Sequence, residues 1–229
     1  MPATVATRPR AVVGKQHPPF QSQLAAWYRY RQGVTAVNGA CSRWEDATNQ
    51  LRPLLQATAS ARPRVQSDGS LLFDGSDDYL QATFTLNQPC SIAIAFTQLT
   101  WTSGDIIFDG STADMKLTQT GSTPAIQANA GSSLTGNSAI PVAVNAVASF
   151  YASGTASAYG ASGGGPRVVV TGDAGANNPG GITVGAARGA SNFSNIIVRE
   201  ILVYSGTLVS AQRFIIRKYL CRVGNVGGT

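Results

Sequence analysis

The 229-residue sequence predicts an all-β protein, a two-sheet antiparallel sandwich with one short C-terminal helix. Three observations predict it. Short stretches with apolar residues at every second position recur along the chain, separated by turn-forming residues. Only 12% of the residues are charged, and small residues fill much of the rest, which suits sheets and turns better than a helical bundle. A single segment, near the end, has helical spacing.

Residues 1–23 are Pro-rich and basic, without periodicity, and read as an extended N-terminal arm. Residues 24–229 read as one domain, a length that all-β sandwiches commonly reach. The stretch 24–31 reads as a short strand or a helical turn carrying Trp27 and Tyr28. Residues 34–40 read as a loop around Asn38-Gly39, and 44–63 as irregular. A strand over 70–73 meets the turn Asp74-Gly75-Ser76-Asp77-Asp78, and an alternating strand follows over 79–86. Further strands are expected over 91–99, 105–110, 115–120, 125–130 and 143–153. The Gly/Ser/Ala-rich stretch 154–166 reads as a loop. Strands at 167–173, 181–189 and 195–206 complete the set, the last burying Ile197, Ile201 and Val203 or the opposite face. Ser210 is expected to cap the helix over 210–222. Ile216, Tyr219, Leu220 and Val223 form its apolar stripe, with Arg213, Arg217 and Lys218 largely off it. Gly224 is expected to stop it.

The formal charge of +6 is unevenly placed: residues 1–64 carry +7, and 65–229 carry −1. A basic arm of this kind favours docking on an acidic neighbour. Cys41, Cys90 and Cys221 are odd in number and lack metal-site spacing, so they read as buried free thiols. Residues 1–20 contain four prolines and no apolar core segment, so no secretory leader is expected. No stretch approaches the ~20 apolar residues of a membrane-spanning helix. In Trp27-Tyr28-Arg29-Tyr30-Arg31 the aromatics read as core and the arginines as surface, not as a nucleic-acid platform.

Two segments carry a family resemblance. LLFDGSDDYLQ at 71–81 resembles the strand-turn-strand of concanavalin A-like, laminin-G-like jelly rolls, with Trp44, Asp46 and Ala61-Arg62-Pro63 matching an upstream run of their bacterial and phage members. FSNIIVREILVYSGTLVSAQRFIIRKYL at 193–220 resembles their closing strand and short helix. The resemblance implies a jelly-roll sandwich of the kind found in tailed-phage virion proteins. It therefore implies a virion structural subunit, made in the host cytoplasm: a capsid decoration, head-fibre or tail accessory protein. Its partners are then other virion proteins and copies of itself, as in a trimer. Arg8, Arg10 and Lys15 are the expected docking residues of the arm. The alternative is a lectin-like module recognising host surface glycans, with Trp101, Tyr159, Asn177, Asn178 and Asn192 as sugar-binding candidates.

Catalysis is not expected. The two glutamates, Glu45 and Glu200, lie far apart and form no paired-carboxylate motif. The one histidine, His17, sits in the Pro-rich arm, and Gly163-Gly164-Gly165 precedes a strand, not a helix. No cofactor or resident metal is expected. Asp74, Asp77, Asp78, Asp105 and Asp109 offer oxygens of the kind calcium takes, but each reads first as a turn cap.

Overall fold

The computed structural model describes residues 17–227. Seventeen strands run in chain order: β1 Leu24–Tyr28, β2 Val34–Val37, β3 Ala40–Trp44, β4 Leu54–Leu55, β5 Arg64–Val65, β6 Leu71–Asp74, β7 Leu80–Thr83, β8 Cys90–Gln98, β9 Ile106–Asp109, β10 Lys116–Thr120, β11 Ala125–Asn129, β12 Ser138–Ala139, β13 Asn145–Ala152, β14 Ser157–Ser162, β15 Val168–Gly172, β16 Gly181–Val184 and β17 Asn195–Ser205. One helix, α1, covers Ser210–Val223. The protein is all-β with a short C-terminal helix, and all pairings between these strands are antiparallel.

The strands join into one continuous, nearly closed barrel-like system, where the sequence had predicted two separate sheets. One run is β15-β14-β13-β8-β17. The central strand β17 serves two neighbours on its other edge, β6 with its first half and β1 with its second. Pairing then passes through β5, β3 and β4 to β7, and on through β16, β9, β10 and β11 to β12.

Leu71, Phe73, Leu80, Ile92, Ile94, Phe96, Phe108, Phe150 and Ile182 are buried together in the interior cluster. A second cluster lies on the opposite face of β8 and β17, where α1 covers Ala93, Ala95, Leu202 and Tyr204 with Ile216, Tyr219 and Leu220. Both faces of β8 are therefore buried, and the strand reads as an unbroken small-and-apolar run.

A bulge between Val198 and Glu200 sets the phase of β17. Ile196 and Val198 face the interior, and beyond the bulge Ile201 and Val203 do. Strict alternation from 197 to 203 fails at that one inserted residue.

Four expectations are corrected. Residues 34–37 and 40–44 are a hairpin, not a loop, turning at Asn38-Gly39 with both residues at positive φ. Residues 157–162 are strand β14, paired on both edges; its small residues gave no β signal, and the pairing supplies the order. Val209, not Ser210, is the helix N-cap residue. On α1, Arg217 is buried at 3% exposure, whereas Phe214 and Ile215 face outward.

The Asp-rich turn behaves as its sequence predicts. Asp74 Oδ1 accepts the Ser76 N–H at 2.8 Å, Asp78 Oδ2 accepts the Asp74 N–H at 3.0 Å, and Gly75 takes φ +79°. All three cysteines are free and buried.

Candidate functional site

Cross-strand register builds a row on the face turned away from the interior cluster, open at its Leu55 end and buried at Thr183 and Asp109. Leu55 of β4 pairs with Gln81 of β7, Gln81 with Thr183 of β16, and Thr183 with Asp109 of β9. Their strand neighbours Leu54, Leu80, Ala82, Ile182, Val184 and Phe108 point into the core, which sends the row outward. Gln81 Nε2 donates to Thr183 Oγ1 at 2.9 Å, and Thr183 Oγ1 donates to the Gly110 carbonyl at 3.2 Å.

At its Leu55–Gln81 end the row opens into a groove of about 640 Å³. Leu51, Arg52, Gln56, Tyr79, Gln81 and Thr83 line it. Leu51 is 85% exposed and held at φ +56°, so an apolar side chain stands at the rim. The Arg52 guanidinium lies 4.7 Å from the Phe84 ring and donates through Nη1 to the Ala25 carbonyl at 2.6 Å, which fixes it at the groove wall. Gln56 donates to the Tyr79 carbonyl at 3.2 Å, while its Oε1 accepts the Thr58 N–H. Amides, a hydroxyl, a cation and an aromatic ring thus share one open concavity, the mixture a polyhydroxylated ligand can use.

The other end of the row is closed. Asp109, 1% exposed, accepts the N–H groups of Gly110 and Met115 through Oδ1 and of Arg188 through Oδ2. Arg188 Nη1 contacts both Asp109 and Asp114. Two carboxylates five positions apart thus converge on one guanidinium, through the turn after β9.

The residues singled out from sequence do not form one site. Tyr159 is 1% exposed, and its hydroxyl donates to the Ile126 carbonyl at 3.0 Å; this aromatic belongs to the interior because β14 is a strand. Asn177 and Asn178 stabilise Gln88: Asn178 Oδ1 accepts its N–H, and the Asn177 carbonyl accepts its side-chain amide. Asn192, at φ +52°, accepts the Ile106 N–H on its carbonyl. Trp101 is half-buried. None of these five lines the groove. Arg8, Arg10 and Lys15 lie outside the described residues. His17 to Gln23, assigned to the arm by composition, are tied to the domain: Tyr204 donates to the Pro19 carbonyl, Gln23 donates to the Thr207 carbonyl, and His17 lies 5.9 Å from the Trp27 ring.

Among the calcium candidates, Asp74, Asp77 and Asp78 converge to within 4.8 Å, while Asp109 is committed to amides and Arg188. Burial, with Asp74 and Asp77 nearby, pushes the Asp78 carboxyl up to about 6. The signal that could have found the groove is the alternation of 79–86 itself, which puts Gln81 and Thr83 on the face opposite Leu80 and Ala82.

No family model matches the chain, and no curated protein matches it. Solved structures do share its fold. A GH54 α-L-arabinofuranosidase, a mutant soaked with 4-nitrophenyl α-L-arabinofuranoside, superposes with a TM-score of 0.65 at 12% identity, over 81% of this chain and 51% of that one. An arabinofuranosidase complexed with arabinofuranosyl-α-1,2-xylobiose gives 0.59 at 13%, over 83% and 52%. Trypanosoma rangeli sialidase in complex with sialic acid gives 0.58 at 14%, over 88% and 33%. The chain spans about half the length of the arabinofuranosidases and a third of the sialidase.

These likenesses correct the expectation that catalysis is excluded. The matched fold occurs within enzymes that act on sugars, so it gives no ground for ruling catalysis out. At these identities the likeness shows the fold alone.

Proposed function

We propose that this chain is a glycan-binding module built as a concanavalin A-like jelly roll and carried as a structural subunit of a phage particle. The groove beside β4 and β7 carries the reading. Partly exposed Tyr79, Gln81 and Arg52 line it beside the buried Gln56, and the cross-strand row continues from Gln81 into the buried Thr183 and Asp109. Sugars are recognised by such mixtures, an aromatic or aliphatic surface for C–H faces and amides or guanidinium groups for hydroxyls. The arabinofuranosidases and the sialidase, sugar-acting proteins that share the fold, support this reading.

The particle half of the reading rests on the jelly-roll resemblance at 71–81 and 193–220, on Trp44, Asp46 and Ala61-Arg62-Pro63, which match a run of its bacterial and phage members, and on the basic segment containing Arg8, Arg10 and Lys15. In it, the segment docks on neighbouring virion subunits while the jelly roll is displayed outward, in a homo-oligomer. The two-layer arrangement is supported by two antiparallel runs, β15-β14-β13-β8-β17 and β7-β16-β9-β10-β11, that both contribute side chains to the interior cluster.

A glycan array probed with the full chain tests the first half. Binding that Tyr79→Ala and Gln81→Ala both weaken is expected; no binding to any glycan overturns it. Removal of residues 1–16 tests the second. The shortened chain should fold but fail to enter particles, and normal incorporation would overturn it.

A further inference from the structure

A second site stands on the other side of the molecule, where α1 begins. A small cavity of about 50 Å³ lies between the first turns of α1 and strands β14 and β15. Arg167, Arg213 and Arg217 all line it, with Ser149, Ser210 and Gly160. Three arginines and two serines therefore line one space a few atoms wide.

Arg217 is the decisive residue. It is 3% exposed, and its Nε is buried without any hydrogen-bond partner. The ion pairs among the described residues join Arg43 to Glu45, Lys116 to Asp114, and Arg188 to Asp109 and Asp114; none involves Arg167, Arg213 or Arg217. A guanidinium stays charged at any ordinary pH, and burying it without a counter-charge is costly. Here burial and the neighbouring Arg167 both work against its charged form. Among the described residues no acid pairs with it.

The backbone adds to the field. The first turn of α1 contains no acidic residue, and Val209 at the N-cap has no side-chain acceptor to offer. Gln212 Oε1 accepts the Val209 N–H at 2.9 Å, and the helix presents its positive end beside Ser210. Arg213 is held in place by its Nη1 bond to the Leu208 carbonyl and by stacking 4.6 Å from the Tyr151 ring. Arg167 and Arg217 both pack 5.4 Å from the Phe214 ring. The cations are thus positioned by packing rather than by any anion among the described residues.

We propose that Arg167, Arg213 and Arg217, with the first turn of α1, form a binding site for a single tetrahedral oxyanion, phosphate or sulfate. Planar guanidinium forks match such oxygens in pairs, and helix N-termini receive them through backbone amides. The cavity's size limits the occupant to one such group, either a free ion or the tip of a monoester. Nothing in this site depends on the groove beside β7.

The test is calorimetric titration of the full chain with inorganic phosphate, inorganic sulfate and methyl phosphate, against sodium chloride at matched ionic strength. Saturable binding of phosphate or sulfate beyond chloride is expected, with an unfolding midpoint that rises with anion concentration. Arg217→Met should keep the fold, since it removes an unpaired buried charge, and should weaken binding at least tenfold. Arg167→Gln, at a more open position, should weaken it as well, and Lys218→Gln, outside the cavity, should not. Methyl phosphate binding as well as phosphate supports the site with an ester tip as occupant; its exclusion supports the site with a free ion. The proposal is overturned if the wild type binds these anions no better than chloride, or if Arg217→Met and Arg167→Gln both bind them unchanged.

Discussion

Trp27 Nε1 donates to Glu200 Oε1 over 2.8 Å, joining residues 173 positions apart. The same carboxylate oxygen accepts the Tyr219 hydroxyl at 2.7 Å, and Oε2 accepts the Tyr30 N–H at 3.2 Å. Glu200 follows directly on the bulge of β17, so one side chain ties together β17, the end of β1 and α1. Arg29, whose guanidinium lies 4.8 Å from the Trp27 ring, supplies positive charge nearby.

Glu200→Ala should therefore destabilise the fold by about 3–5 kcal/mol, because three donors lose one acceptor in a closed space. Glu200→Gln should cost less, since one oxygen remains. Urea denaturation of the two variants checks the order. A loss below about 1 kcal/mol for Glu200→Ala would show the donors find other partners.

Asp78 predicts a pH dependence. Its folded-state carboxyl titrates near about 6, above its ordinary value of 3.8. A raised carboxyl favours the protonated fold, so its contribution is present below the ordinary value and lost as pH rises through the folded one. Thermal midpoints measured between about pH 4 and pH 7 should fall more for the wild type than for Asp78→Asn. The asparagine keeps an oxygen for the Asp74 N–H. Parallel curves would refute the assignment.

Gly185 takes φ +85°, and a Cβ there would meet the Phe73 ring at 2.3 Å. Gly185→Ala should lose about 2–4 kcal/mol, from left-handed backbone strain together with the overpacked ring. Chemical denaturation reads this directly, and a neutral result would mean that Phe73 can move aside.

Burial lifts the Cys41 thiol to about 11 and the Cys90 thiol to about 12. Both should resist an aromatic disulfide reagent at neutral pH and react once urea unfolds the chain. Fast labelling of the native protein at either position would contradict their closed surroundings.

In the groove, Gln81→Ala should lower affinity for a glycan found by array about tenfold, equivalent to about 1.4 kcal/mol, by removing an amide next to Tyr79. Leu55→Ala, its cross-strand neighbour, should lower it less. Titration calorimetry separates the two, and equal affinities for wild type and Gln81→Ala would move the binding surface elsewhere.

Much of the strand pattern was legible because it depends on local alternation. Ile92, Ile94 and Phe96 face the interior as their spacing requires, and Trp44 is buried with its Nε1 on the Arg29 and Gln32 carbonyls. What was not legible depends on partners distant in sequence. Strand β14 is ordered by β13 and β15 while its own residues are small. The side of α1 that faces inward is set by β8, β13 and the bulged half of β17, and this buries Arg217 against expectation. The site suffered most. Gln81, Thr183 and Asp109 come together only through register, and 102 positions separate Gln81 from Thr183.

The bulge of β17 has a consequence for the helix. Arg199 is the residue without a place in the ladder, and its Nη1 holds Thr97 Oγ1 at 2.8 Å. Taking it into the ladder as a regular strand residue would turn the second half of the strand over, sending Leu202 and Tyr204 inward and presenting Ile201 and Val203 to the surface. The apolar bed on which α1 rests would vanish, and with it the Arg217 cavity. The one residue held outside the ladder thus keeps the C-terminal end of the chain fastened to its bed.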